Sequence, residues 1–253
     1  MKEVLDVIQQ KKQDFAKLKL FAYMQDDSIN PLQRVAWAPC LAPFAMHFKD
    51  LNAMALRQEP TTNPIQEMIN KHTYEDGRHW AWYLSDVEAL SIDMPMRFTD
   101  VLRFLWGKET EKTRGLCQDL YALCKLEQDP IVKLAVIECI EVTGTVALAA
   151  LCKLGKDLEA VTQRRFRYLS AYHLGVETGH VQGGLSYNET DDFLHTIQLT
   201  EEQTEKCLKC VEIVFKGFSE CMDELMLYAE SHTIEQPFSR SHVSQSELAA
   251  TFA

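Results

Sequence analysis

The chain has 253 residues, and its 26 Lys and Arg against 37 Asp and Glu give a formal net charge of −11. That balance excludes a general nucleic-acid binder, which needs a basic footprint on phosphate. Apolar residues make up 46% of the chain, enough for a large core, and only 10 glycines and 8 prolines punctuate it, so long helices are expected.

In the first half, the longest stretch without Asp, Glu, Lys or Arg runs from Val35 to Phe48 and contains Pro39 and Pro43. A membrane-spanning helix needs roughly 20 apolar residues. The N-terminus has no apolar signal-peptide region. The eight cysteines fall mostly at helical core spacings and read as reduced thiols of a cytoplasmic protein. Cys207 and Cys210 form the one close pair. They have no second pair and no nearby His, which argues against a zinc site.

Taken in chain order, the periodicity is helical almost throughout. A first helix is expected from about Glu3 to Met24, and a second from Pro31 to about Leu56, bent at Pro39 and Pro43. Asn63-Pro64 is a start signal, a capping residue followed by proline in the first turn. The third helix should run from there to about Leu90. Further helices are expected near 97–106, 109–126, 130–154, 158–174 or longer, and 200–230. Gly183 to Thr190 reads as a loop. The expectation is one all-α domain over 1–231 with a loosely ordered tail over 232–253.

Three segments place ionisable residues where a helical protein usually places leucine. In YHLGVETGH, His173, Glu177 and His180 stand at i, i+4 and i+7, within roughly 60° of one another on a helix. Two imidazoles and a carboxylate on one stripe suit iron or manganese. In KHTYEDGRHW, His72 and His79 stand at i and i+7, with Glu75 and Asp76 about a turn from both. A solvated stripe with Asp76–His72 and Glu75–His79 pairs is the bland alternative. In IVKLAVIECIEVTGTVALAAL, Glu138 and Glu141 sit in an apolar helix, where a carboxylate needs a cation or a partner such as Arg164, Arg165 or Arg167. Helical bundles build metal sites by pointing such residues inward from facing helices.

On these residues the chain resembles the haem-oxygenase-like diiron oxidases and oxygenases. It is similar to the group containing the Chlamydia protein associating with death domains, with TenA-like thiaminase-type proteins as distant relatives. The family pattern is Glu-x6-His, then a Glu, then His-x3-Asp/Glu-x2-His. His173, Glu177 and His180 match the last element, Glu141 the middle one and His79 the first histidine. His72 stands where the family has Glu. The resemblance implies a haem-oxygenase-like bundle of about seven helices holding one or two irons, with manganese as an alternative. His72, His79, Glu141, His173, Glu177 and His180 would be the ligands, and Glu75, Asp76 and Glu138 additional or supporting groups. It further implies an oxidoreductase that activates O2 to oxidise a small organic substrate. The sequence alone assigns no catalytic residue.

Two rival readings are a catalytically silent bundle that binds a partner and a metal-free TenA-like hydrolase. Cys139, beside Glu138, would be a candidate nucleophile for the latter. His47 reads as an edge of the core, and His195 and His232 as loop and tail residues. No nucleic-acid or membrane partner is expected, and homo-oligomerisation is left open.

Overall fold

The computed structural model describes residues 1–179, 193–235 and 238, and among these there is no strand. The helices are α1 Lys2–Phe15, α2 Lys19–Gln25, α3 Pro31–Arg34, α4 Ala42–Asp50, α5 Pro64–Asp76, α6 His79–Ala89, α7 Phe98–Leu105, α8 Glu111–Leu126, α9 Pro130–Thr162, α10 Ala171–Gly179 and α11 Glu201–Ser231. A 3₁₀ turn, Ala38–Leu41, leads into α4, and a π-helical turn, Leu51–Leu56, extends it. The kinked segment is thus several short pieces, as two prolines in a helix require.

Local chemistry sets many of the ends. Asn63 Oδ1 accepts from the N–H groups of Ile65 and Gln66 at 2.9 and 3.1 Å, with Pro64 in the first turn. Asn30 and Asp129 each accept from one N–H, of Leu32 and of Ile131, ahead of Pro31 and Pro130. Thr200 and Gln203 close a reciprocal capping box on α11. Across the core, Glu224 of α11 accepts from the Lys112 and Thr113 N–H groups at 2.6 and 2.9 Å, capping α8.

Three expected boundaries differ. The first helix breaks between Phe15 and Lys19, which turns Phe15 edge-on to Phe21 at 5.2 Å and sends both into the core. The third breaks at Gly77–Arg78. There the Arg57 guanidinium donates to the Thr73 carbonyl and hydroxyl at 3.1 and 2.9 Å, taking over the end of α5. Conversely, the two helices expected over 130–154 and 158–174 are joined as far as Thr162. Gly155 lies inside α9 because a Cβ there would stand 2.2 Å from the Leu169 carbonyl, so the close crossing, not a break, explains the glycine. Gln163, with φ 58°, then ends the helix.

Helix α9 is the centre of the bundle, packing against α1, α2, α3, α5, α8, α10 and α11. It is long and apolar enough to cross a membrane, but it is mostly buried in the bundle. Arg34, only 2% exposed, ties the N-terminal helices to it by donating to Asp157 Oδ2 at 2.8 Å and to the Met24 carbonyl at 2.9 Å. Beyond Ser231, the His232 ring stacks on Tyr228 at 3.9 Å, and Phe238 meets Phe104 at 5.4 Å. The expected loop over 183–190 lies outside the described residues, as does 239–253.

Candidate metal centre

Helix α10 is short and carries His173 and Glu177 one turn apart, so a single helical turn aims both at the same point. His79, the first residue of α6, meets them there. His173 Nε2 lies 3.0 Å from Glu177 Oε1, His79 Nδ1 lies 3.0 Å from the same oxygen, and the two ring nitrogens are 3.3 Å apart. Donors at ~2.1 Å around one octahedral ion, at right angles, would be separated by ~3.0 Å. The His173 Nδ1 lies 3.0 Å from the Tyr168 carbonyl. An oxygen acceptor there calls for the proton on Nδ1, which leaves the Nε2 lone pair facing the cluster. A lone pair, a carboxylate and a second imidazole at this range need a proton or a cation among them.

The approach of α10 is fixed from α6. Asp86 accepts from the N–H of Arg167 at 2.9 Å and of Leu169 at 2.8 Å, so it holds the chain that presents the Tyr168 carbonyl. Trp82 stacks on the His79 ring at 4.4 Å and meets His173 edge-on at 5.6 Å. Tyr83 lies elsewhere in the core, its hydroxyl donating to the Ala38 carbonyl at 2.8 Å.

A second cluster adjoins the first. His72 and Asp76 lie one turn apart on α5, with His72 Nε2 3.0 Å from Asp76 Oδ2 and 3.4 Å from Glu141 Oε1 of α9. Burial lowers the His72 pKa, but the charge and hydrogen bond of Asp76, with Glu141 and Glu177, push it up to about 10. Burial holds the Glu141 carboxyl well above the usual range. His72 opposes this, and Asp76, Glu177 and Glu138 add to it. The set crowds two carboxylates and an imidazole into a buried space, where protons or a cation offset the negative charge. Both three-residue sets have the donor types and spacing to hold a metal ion.

Of the residues singled out in the sequence, the structure brings together His72, Asp76, Glu141, His79, His173 and Glu177. His180 lies outside the described residues. Glu138 is half-buried and near enough to Glu141 to act on its charge. Glu75 is exposed and takes no part, because it sits about 100° round α5 from Asp76. The expected Glu75–His79 pair is replaced by Glu177–His79 across the bundle. The shared helix face expected for His72 and His79 is likewise absent. The break at Gly77–Arg78 sends them to different clusters. His47 packs beside Tyr121 at 5.7 Å, away from both. His195 is exposed.

Cys139 is buried, and burial with the Glu138 charge pushes its thiol well up. Cys221, which does line the cavity beside the clusters, is pushed up to about 12 by burial. Burial disfavours the thiolate form at both positions. Sequence reasoning missed Tyr168 and Asp86, which act through a carbonyl and through backbone N–H groups and leave no spacing signal.

Among known proteins, no family model matches the chain, and no curated protein matches it. A solved structure does: a domain of unknown function with a haem oxygenase-like fold from Shewanella denitrificans, with a TM-score of 0.60 and 13% identity, covering 96% of this chain and 96% of that one. At that identity the likeness concerns architecture, and the chain has a haem oxygenase-like fold.

Proposed function

We propose that the protein is an oxidoreductase that holds iron in the paired clusters and uses O2 to oxidise a small organic substrate. The observation that carries this reading is the His79–His173–Glu177 triangle, with His173 Nδ1 engaged by the Tyr168 carbonyl. Two histidines and one carboxylate on a common face are the donor set of non-haem iron oxygenases. The fold, built of facing helices with these polar sets between them, is compatible with it.

His79, His173 and Glu177 would hold one ion, and His72, Asp76 and Glu141 a second. Iron bound in such a set supplies the electrons that dioxygen needs to react with a closed-shell organic molecule. The protein's own groups orient and shield. The Tyr168 carbonyl fixes the His173 tautomer, and Asp86 fixes Tyr168. Trp82 stacks on the His79 ring and stands edge-on to His173. The adjoining cavity is walled by apolar side chains, which keep water from the reacting end.

The test is anaerobic titration of the metal-depleted protein with ferrous iron, followed by metal analysis and measurement of O2 uptake. Tight binding of at least one iron with O2 uptake supports the proposal. No iron binding would leave the silent bundle or the metal-free hydrolase as the better account.

A further inference from the structure

The cavity beside the clusters has a volume of about 130 Å³. An engineered apolar cavity of ~150 Å³ stays dry and takes up benzene. Its walls include Phe44, Phe48, Leu148, Leu151, Phe218 and Met222. Asp76, Glu141, His79, His173 and Glu177 also line it, so the space adjoins both clusters.

Among the described residues that line it, none is Lys or Arg. Its threonine hydroxyls are committed to backbone carbonyls, which leaves the Tyr168 hydroxyl, near Glu177, as the remaining hydroxyl among the lining residues. Thr143 donates to the Cys139 and Ile140 carbonyls at 2.9 and 3.0 Å, and Thr145 to the Glu141 carbonyl at 2.8 Å. The Trp37 indole N–H donates to the Arg34 carbonyl at 2.8 Å. A carboxylate or phosphate entering this space would have no cation to meet away from the clusters, and its charge would stay unpaired there.

Gly144 is the second observation. It lies one turn after Glu141 on α9 and lines the cavity, and a Cβ built there meets nothing within 4 Å. Glycine in a helix interior is unfavourable relative to alanine, and here it keeps the cavity open next to the carboxylates.

We infer that this cavity is the substrate site and that it takes an uncharged, compact apolar body of roughly six to eight carbons, an aromatic ring or a short branched alkyl group, rather than a long chain or an anion. The inference rests on reading the clusters as the reacting end, but the binding step can be tested without metal.

The experiment uses the full chain after treatment with a chelator, titrated with toluene and, separately, with benzoate, which has the same ring but carries a charge. Binding is followed by calorimetry and by the NMR signals of ¹³C-labelled methionine methyls. Toluene should bind saturably, benzoate at least tenfold more weakly. Toluene should move the signals of Met24 and Met222, which line the cavity, and not that of exposed Met54. Gly144→Leu should lose toluene binding at least tenfold while still taking up ferrous iron. The methionine signals decide the location even where that variant does not fold. Equal binding of benzoate, shifts confined to other methionines, or no toluene binding would each overturn the inference. Toluene binding without iron uptake would overturn the proposed oxidoreductase and leave the cavity assignment standing. Iron uptake without toluene binding would do the reverse.

Discussion

Asp76 alters the charge balance of the centre. The family-like pattern contains two carboxylates, Glu141 and Glu177, against the four positive charges of two dications. Asp76, 3.0 Å from His72, adds a third at the position nearest the histidine that replaces the family's glutamate. In a buried set, charge neutralisation dominates cation affinity. Asp76→Asn should therefore weaken the second ion by at least ~10-fold, while Glu75→Gln and His195→Ala leave iron content unchanged. Metal analysis after anaerobic loading checks this, and equal iron in all three variants would mean that Asp76 is not a ligand. The sequence made His173 and Glu177 legible because both lie on one turn of one helix. It left Glu75 and Asp76 undivided, since either could face His72 or His79 on an unbroken helix. The packing of α5 buries Asp76 and leaves Glu75 exposed, and the helix break beside Arg57 takes His79 to the other cluster.

At the level of the helices, two glycines of α9 predict opposite outcomes for the same substitution. At Gly144 a Cβ meets open space, so Gly144→Ala should stabilise the protein by ~0.5–1 kcal/mol. At Gly155 it would stand 2.2 Å from the Leu169 carbonyl, so Gly155→Ala should cost ~1–3 kcal/mol as the crossing is forced apart. Urea denaturation of the two variants decides, and a common sign would show that the Gly155 crossing is not a close contact. Because Leu169 follows Tyr168, Gly155→Ala should also lower affinity at the His173 cluster. Asp86→Ala belongs with it. It strips the Arg167 and Leu169 N–H groups of their acceptor and should cost ~1–3 kcal/mol, with weaker iron binding as the readout that a purely structural role would not give. Starts such as Asn63-Pro64 are readable in sequence because the cap and its helix are neighbours. The continuity of α9 through Gly155 is not, because its cause is a residue that arrives from another part of the chain.

Across the whole molecule, the helical class follows from the 3.6-residue periodicity and the scarcity of turn residues. The arrangement of the bundle does not, because it depends on which faces of α9 meet which partners. Ions that bind only the folded state should add to stability by mass action. At one hundred times the dissociation constant the gain is ~2.7 kcal/mol, or about 5–10 °C in melting temperature for a chain of this size. Anaerobic ferrous iron or manganese should produce such a rise in the wild type, and a much smaller one in Glu177→Ala. A thermal melt showing equal shifts in both would place the bound ion elsewhere.

His72 and His79 stand on opposite sides of the Gly77–Arg78 joint, which gives each cluster its own mechanical task. An ion between His72, Asp76 and Glu141 would clamp α5 to α9. An ion between His79, His173 and Glu177 would clamp α6 to α10. Filling one leaves the other arm of the joint free to breathe, so the order of loading would be written in the backbone. Hydrogen exchange on half-loaded protein would read it directly, as amides slowed in one arm and not the other.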